Sequence, residues 1–213
     1  MFITFEGIEG CGKSTQIRLL AQALETAGHR VLVTREPGGC PIADQVRAVL
    51  LNAENSAMAP LTELLLYSAA RAQHLAELVA PALQSGMTVL CDRFSDATRA
   101  YQAFGRGLDR NMVEGLNSLA CNGIAPSLTL LLDCPVEVGL SRARSRIDAT
   151  SGPREERFEL ESLNFHQRVR DGYLTLAAEE PARFCLIDAQ GTPEQVAQAV
   201  YQAVLNRLSR VSG

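Results

Sequence analysis

The sequence of 213 residues lacks several features that would indicate other classes of protein. Its six cysteines include no Cys-x-x-Cys pair and its three histidines lie far apart, so neither a disulfide framework nor a zinc site is expected. No apolar run approaches the roughly 18 residues that a membrane helix needs. The net charge of -4 argues against nonspecific nucleic-acid binding, which depends on neutralising phosphates. We therefore expect no membrane or nucleic-acid partner, and a chain that begins directly with a strand is expected in the cytoplasm.

The chain also has very little lysine: all of its 20 basic residues except Lys13 are arginine. Lys13 belongs to the pattern Gly7-x-x-x-x-Gly12-Lys13-Ser14, which follows the apolar run 2–5. This pattern is typical of a P-loop, in which backbone N–H groups and the start of a helix surround phosphate oxygens. A slim ammonium suits this place better than a guanidinium fork. The residues expected to bind ATP are Gly7, Ile8, Glu9, Gly10, Cys11, Gly12, Lys13, Ser14 and Thr15.

Apolar strands alternate with helical segments along the rest of the chain. Strands are predicted at residues 2–5, 30–34, 87–91, 128–133 and 184–188, and helices at 16–27, 42–51, 61–83, 95–102, 110–122, 136–146, 158–179 and 193–208. This alternation predicts a three-layer α/β P-loop NTPase fold, with a parallel five-stranded sheet covered by helices on both faces. Ligands bind outside the carboxyl ends of such strands. Composition does not shift along the chain, so we expect one domain over residues 1–213.

A P-loop alone is compatible with a GTPase switch, a motor-like ATPase or a small-molecule kinase. The Asn-Lys-x-Asp motif of a guanine-specific switch is excluded, because the only lysine is in the P-loop. A kinase needs an acceptor pocket and mobile arginines that close over the transferred phosphate. Near a P-loop, an arginine-rich segment indicates such a lid, at about 142–158, rather than a solvated basic face. Its arginines are Arg142, Arg144, Arg146, Arg154 and Arg157.

Several motifs, taken in order, resemble those of bacterial thymidylate kinase. They are EGIEGCGKST, TREPGG, AARAQ at residues 69–73, and CDRFSDATRAYQ followed by Arg106-Gly107. The motifs span essentially the whole chain and are specific in combination. The resemblance implies a nucleoside-monophosphate-kinase fold, a homodimer, and transfer of the γ-phosphate of MgATP to dTMP, giving dTDP and ADP on the route to dTTP. It thereby implies Mg²⁺, ATP and dTMP as ligands.

The resemblance also assigns the phosphate end of the acceptor pocket. Arg93 would clamp the dTMP phosphate, a bidentate task that suits a guanidinium, with help from Arg35 or Arg47. The alternative for Asp92-Arg93 is an ion pair that caps a helix. Asp92 would hold magnesium through water, together with the hydroxyl of Ser14.

Further residues are implied at the base and the sugar. Arg71 resembles the arginine that hydrogen-bonds thymine O4, and its alternative is a buried pair with a nearby glutamate. Tyr67 occupies a position where the family often stacks Phe on the base, although an aromatic at this spacing is more often part of a core. The remaining implied contacts are Thr98 and Gln102 at the base edge, Tyr101 under the deoxyribose, Glu9 at the 3′-hydroxyl, and Glu36-Pro37 lining the pocket.

The last expectation concerns the catalytic arginine. Gly10 stands where some thymidylate kinases carry an arginine, so the resemblance implies that the lid supplies this charge here. Arg157 best matches the lid arginine of the family, and Arg144 and Arg154 are alternatives because this lid is longer than the common pattern. The end of the last strand, residues 188–189, resembles the adenine-side loop or is an ordinary strand end.

Overall fold

The computed structural model describes residues 1–148, 157–158 and 160–211, so Arg154 and much of the expected lid lie outside the described residues. The described strands form one parallel sheet in the order β2-β3-β1-β4-β5. Their bounds are β1 Phe2–Glu6, β2 Val31–Arg35, β3 Thr88–Asp92, β4 Leu128–Asp133 and β5 Phe184–Asp188. The predicted α/β fold with a parallel five-stranded sheet is confirmed.

Helices occupy most of the segments between the strands. Two of them are interrupted by π-helical turns, at Leu75–Val79 and Arg99–Gly105. None of the helices in the described part of the chain combines the length and the apolarity needed to cross a bilayer. The helices are α1 Lys13–Thr26, α2 Pro41–Leu51, α3 Pro60–His74, α4 Ala80–Gln84, α5 Ser95–Thr98, α6 Arg110–Cys121, α7 Val136–Asp148, α8 Leu163–Glu179 and α9 Pro193–Val211.

The position of β1 in the middle of the sheet determines where the motifs meet. Helices α1 and α9 pack together against the sheet, and right-handed crossovers place α4 and α8 on the opposite face. Phe5 in β1 pairs with Asp92 in β3, so both strands end at the same edge. The P-loop follows β1 and Arg93 follows β3, which brings the two motifs side by side at the carboxyl edge of the sheet.

The predicted start of the helix before β5 was wrong. The helix expected over residues 158–179 begins only at Leu163, after the N-cap Ser162, whose hydroxyl accepts a hydrogen bond from the N–H of Phe165. Phe158 lies instead in a turn, with its ring buried in the core edge-on to Tyr101. The apolar spacing that predicted an earlier start reflects this tertiary contact rather than a helical face.

The long helix predicted over residues 61–83 is one helical segment that contains a π-helical turn. Helix α3 gives way to the π-helical turn Leu75–Val79 and then to the short α4. Pro81 lies at the start of α4; it has no N–H and its ring would clash with the carbonyl of Glu77 in a regular helix. The wider turn before Pro81 accommodates this residue without ending the helical path.

A glycine contact docks the P-loop on α7. Gly10 has a φ of 69° and a Cβ atom there would overlap the carbonyl oxygen of Gly139. A Cβ atom at Gly139 would lie 2.5 Å from the carbonyl oxygen of Glu9. The two backbones approach too closely for any side chain between them, so an arginine at position 10 has no room in this structure.

We predict that Gly139→Ala destabilises the protein by about 1–3 kcal/mol, because overpacking against backbone outweighs the roughly 1 kcal/mol gained in helix propensity. The matched control is Gly115→Ala in α6, where a Cβ atom would meet nothing within 4 Å. Thermal unfolding of both variants measures the difference. Equal or higher stability of Gly139→Ala would show that the contact is not close in solution.

Candidate active site

The start of α1 is open toward an anion. Helix α1 begins at Lys13 after Gly12, which adopts a left-handed conformation with a φ of 96°. No side chain caps this N-terminus and its first turn has no acidic residue, so its N–H groups are available in the part of the chain that the structure describes. The Nζ of Lys13 donates to the carbonyl oxygens of Gly7 at 3.1 Å and Ile8 at 2.9 Å. The loop therefore folds around its own lysine.

A cavity of about 870 Å³ extends from this helix start. Gly7 and Ile8, the first two residues of the P-loop pattern, do not line the cavity. The predicted ATP and dTMP residues that line the cavity are Glu9, Gly10, Cys11, Gly12, Lys13, Ser14, Thr15, Arg35, Glu36, Pro37, Arg47, Tyr67, Arg71, Asp92, Arg93, Thr98, Tyr101 and Gln102. One cavity thus joins the expected donor site to the expected acceptor site.

Ser14 and Asp92, the two expected magnesium residues, are in contact. The Ser14 hydroxyl donates to Oδ2 of Asp92 at 3.0 Å, across the gap between α1 and β3. An exposed hydroxyl beside a carboxylate at the edge of a phosphate cradle fits Mg²⁺, which takes one or two protein oxygens and the phosphates of its nucleotide. The described residues contain no cluster of three or more acidic, cysteine or histidine side chains that could hold a metal by itself.

Arg93 connects β3 to the P-loop. Its Nη1 donates to the Gly7 carbonyl at 3.0 Å and to the Tyr173 hydroxyl at 3.2 Å, and its Nη2 donates to Glu9 at 3.0 Å. Its φ of 69° is unusual for a residue other than glycine and indicates backbone strain at this site. Its guanidinium carbon also lies 4.8 Å from the centroid of the Tyr101 ring, and Arg93 lines the cavity.

Glu9 is held as a carboxylate. Its Oε1 accepts hydrogen bonds from the Tyr101 hydroxyl at 2.6 Å and from Arg93. Nδ1 of His166, a fully buried residue of α8, lies 3.3 Å from Oε2. Burial alone would raise the pKa of Glu9, but the charges of Arg93 and Lys13 and the contact with His166 outweigh burial, so this pKa lies well below its usual range. Glu9 can therefore accept a hydrogen bond from a ligand but cannot donate one.

Arg71 forms the buried pair with glutamate that was one of its two interpretations. Its Nε donates to Oε2 of Glu36 at 2.8 Å. Nη1 donates to Asn117 at 2.7 Å, and Nη2 donates to the carbonyl of Phe94 and to the Thr98 hydroxyl. Four of its five N–H donors are thus used within the described residues, and Arg71, although almost fully buried, still lines the cavity.

The remaining predicted acceptor residues surround Arg71 and the mouth of the cavity. Gln102 donates to Glu63 at 2.9 Å. The Tyr67 ring packs against Phe158, with centroids 6.4 Å apart, and is only half-buried. Arg35 pairs with Asp44 at 3.1 Å and Arg47 donates to the Pro37 carbonyl at 2.9 Å, beside a cis Glu36-Pro37 bond.

The described lid arginines do not gather at the P-loop. Arg157 is buried against Glu63, with Nη1 and Oε2 2.7 Å apart, and donates to the Leu50 carbonyl. Arg144 is exposed on α7. Arg142 lines the cavity and donates to the carbonyl of Ala189 at 3.0 Å, close to the end of β5.

Comparison with known proteins decides among the P-loop families. The family model of thymidylate kinase matches residues 5–200. This chain belongs to the thymidylate kinase family. The thymidylate kinase of Trichlorobacter lovleyi is 74% identical over 209 residues, covering 98% of this chain and 99% of the relative. That of Geobacter sulfurreducens is 64% identical over 209 residues, covering 98% of both.

The fold agrees with this membership. The crystal structure of thymidylate kinase from Ehrlichia chaffeensis superposes with a TM-score of 0.77 at 32% identity, covering 96% of this chain and 98% of that chain. A thymidylate kinase is a phosphotransferase that converts dTMP to dTDP with ATP, so the expected enzyme class, reaction and substrates are confirmed. The roles of individual residues stay predictions.

Two residues at the thymidylate kinase site were missed at the sequence level. Arg142 was grouped with the lid but given no role, although its place on the first turns of a helix after β4 points it toward the cavity. His166 was regarded only as an isolated histidine, and no signal in the sequence connects it with Glu9, which is 157 positions earlier in the chain.

Glu6, the last residue of β1, is a fully buried carboxyl beneath the site. Its Oε1 accepts a hydrogen bond from the N–H of Phe94 at 2.7 Å, and the Tyr173 hydroxyl lies 2.7 Å from Oε2. Burial, together with the nearby charge of Asp96, raises the pKa of Glu6 to about 8, against the lowering effect of Arg93. The folded protein therefore binds a proton that the unfolded chain loses near pH 4.5.

We predict that the free energy of unfolding falls as pH rises from about 5 to 8, and that Glu6→Gln flattens this fall. A raised folded-state pKa gives stability that is fully present below the unfolded value and is lost as pH rises through the folded value, by up to about 5 kcal/mol here. Urea unfolding at several pH values measures the slope. An equally steep slope in Glu6→Gln would contradict the assignment.

Proposed function

We propose that this chain phosphorylates dTMP by direct in-line transfer, with the donor phosphates on the P-loop and the acceptor phosphate on Arg93. The observation that carries the proposal is the single cavity that joins the open N-terminus of α1 to Arg93 and Arg71. In such transfers catalysis is mainly positioning and charge neutralisation, so two adjacent phosphate sites are sufficient and no covalent intermediate is needed.

The donor side would use Lys13 and the free N–H groups of α1. Lys13 already lies within the loop, so its ammonium can neutralise the outer phosphates with little rearrangement. Ser14 and Asp92 would hold magnesium, Asp92 through water. Bound magnesium would neutralise charge on the transferred phosphoryl group. Arg142 and Ala189 would border the adenine end of the same cavity.

The acceptor side would use Arg93, which lines the cavity beside Glu9. A fork formed by Nε–H and Nη2–H matches two oxygens of a phosphate. Arg35 and Arg47, at the mouth of the cavity, would add positive charge. Glu9, which its neighbours keep as a carboxylate, would accept a hydrogen bond from the 3′-hydroxyl of the sugar.

The base would lie between Tyr67 and Arg71. The second Nη1–H of Arg71 would donate to thymine O4, while Thr98 and Gln102 border the base edge and Tyr101 lies under the deoxyribose. Thr98 and Gln102 are already engaged with Arg71 and Glu63, so both are fixed before a ligand arrives. A fixed donor opposite O4 favours thymine over cytosine, which has an amino group there.

The lid would deliver Arg157 to the transferred phosphate. Its present partners, Glu63 and the Leu50 carbonyl, do not line the cavity, so this role requires Arg157 to exchange a buried ion pair for the phosphate charge. Arg144 and Arg154 are the other candidates for the same charge.

The assembly and location are part of the same proposal. Ile42 and Val49 on α2 and Leu61 and Leu65 on α3 are large apolar side chains left exposed on two helices that pack together, which supports a homodimer through this face. A monomer mass by light scattering would contradict it. We place the reaction in the cytoplasm, where ATP is supplied; cell fractionation tests this.

We predict that ADP release from MgATP is stimulated strongly by dTMP and weakly by dUMP, dCMP, dGMP and AMP. Arg157→Ala should lower kcat for dTMP about a hundredfold or more, because a charge clamp on the transition state is lost, with little change in dTMP affinity. A coupled assay measures turnover, and EDTA should abolish it.

Arg144→Ala and Arg154→Ala are the matched controls, because each removes one lid arginine. Normal turnover in Arg157→Ala with a loss in either control would move the catalytic role to that residue. Equal stimulation by every monophosphate would contradict the proposed recognition of thymine.

A further inference from the structure

A chain of buried hydrogen bonds continues from Arg71 away from the cavity. Oε2 of Glu36 accepts from Arg71, and Oε1 of Glu36 lies 3.0 Å from Nδ1 of His74. Nε2 of His74 in turn lies 2.7 Å from the Thr34 hydroxyl. Two of these residues flank the end of β2 and two lie one turn apart on α3, so the chain ties a strand to a helix.

The two ring nitrogens of His74 have different partners. Nδ1 faces Oε1 of Glu36, and because a carboxylate oxygen can only accept, Nδ1 carries a proton and donates it to Glu36. Nε2 and the Thr34 hydroxyl share the second hydrogen bond, in which either atom can be the donor. Both Glu36 oxygens are occupied by donors, from His74 on one side and from Arg71 on the other. The carboxylate is therefore fixed in position and in orientation.

The backbone is adapted to this contact. Gly39, with a φ of 91°, lies over the Thr34 to His74 hydrogen bond. A Cβ atom at this position would be 2.5 Å from Oγ1 of Thr34 and 2.8 Å from Nε2 of His74. The second glycine of the TREPGG motif thus leaves space for the bond between these two side chains.

Thr34 and His74 do not reach the cavity. Glu36 and Arg71 line it, whereas His74 has no exposed surface and Thr34 is nearly buried. Among the described hydrogen bonds, the histidine and the threonine are connected to the cavity through Glu36. For the same reason the Thr34 hydroxyl is not placed to act as a nucleophile on a substrate.

We propose that Thr34 and His74 are positioning residues for base selection, which act by holding Glu36 so that Arg71 keeps one aimed N–H toward the base. This inference rests on the proposed contact between Arg71 and thymine O4. A fixed N–H forms a hydrogen bond with thymine O4. It disfavours binding of cytosine, which has an amino group at the same ring position. A guanidinium that can turn would meet cytosine with a smaller penalty.

The test compares dTMP and dCMP as acceptors in the purified full-length enzyme. Thr34→Val removes the hydroxyl while keeping the shape, and Thr34→Ser keeps the hydroxyl as the matched control. We expect the ratio of kcat/KM for dTMP to that for dCMP to fall about tenfold in Thr34→Val and to stay within twofold of the wild type in Thr34→Ser.

His74 gives a second pair of variants. His74→Leu removes both ring nitrogens and should lower the ratio of kcat/KM for dTMP to that for dCMP at least as much as Thr34→Val does. His74→Asn keeps an N–H near the position of Nδ1 and should restore part of the ratio. If His74→Leu does not fold, the threonine pair alone decides, because neither threonine substitution leaves a buried charge without a partner.

One outcome would overturn the proposal. It is an unchanged ratio in folded Thr34→Val, whether both kcat/KM values stay at the wild-type level or fall by the same factor, as a purely structural role would give. Arg71→Gln separates this inference from the proposed function. If Arg71→Gln leaves the ratio unchanged, the contact with O4 is wrong; if it lowers the ratio and Thr34→Val does not, only the positioning role is wrong.

Discussion

The contact between Arg93 and Glu9 is the interaction on which the rest of the site depends. Arg93 follows β3 directly, and Glu9 lies in the loop that follows β1. Because these two strands pair in parallel, both residues lie at the carboxyl edge of the sheet. The backbone of Arg93 adopts a left-handed conformation, which costs of order 1 kcal/mol or more outside glycine. Hydrogen bonds to the P-loop carbonyl and to Tyr173 offset this strain. Arg93, the proposed acceptor clamp, is thus anchored on the P-loop.

The P-loop is consequently held from two sides before any ligand arrives. Arg93 fixes the loop toward β3, and the close contact between Gly10 and Gly139 fixes it toward α7. In the proposed function, the positions of the two phosphate sites would therefore be coupled through short, buried contacts. A site preorganised in this way stabilises charge without reorganising during transfer, which is the main requirement of phosphoryl transfer.

The parts of this account that were predictable from the sequence are those with local signals. The P-loop has fixed spacing, and the strands are short apolar runs, so the sheet and its carboxyl edge were both expected. The start of α8 was missed because Phe158, which looked like part of a helical apolar face, packs from a turn against Tyr101 in the core. The partners of Arg157 and Arg71 were not predictable individually, since Glu63 and Glu36 reach them only through packing of distant segments. No pattern of spacing encodes such pairs.

The central claim is that an arginine anchored on the P-loop holds the acceptor phosphate. The most direct test measures the affinities of dTMP and thymidine by calorimetry, for the wild type and for Arg93→Lys. A lysine keeps the charge but loses the fork that bonds the loop and the phosphate together. The account predicts that the preference for dTMP over thymidine falls at least tenfold in a variant that still folds. An unchanged preference would contradict it.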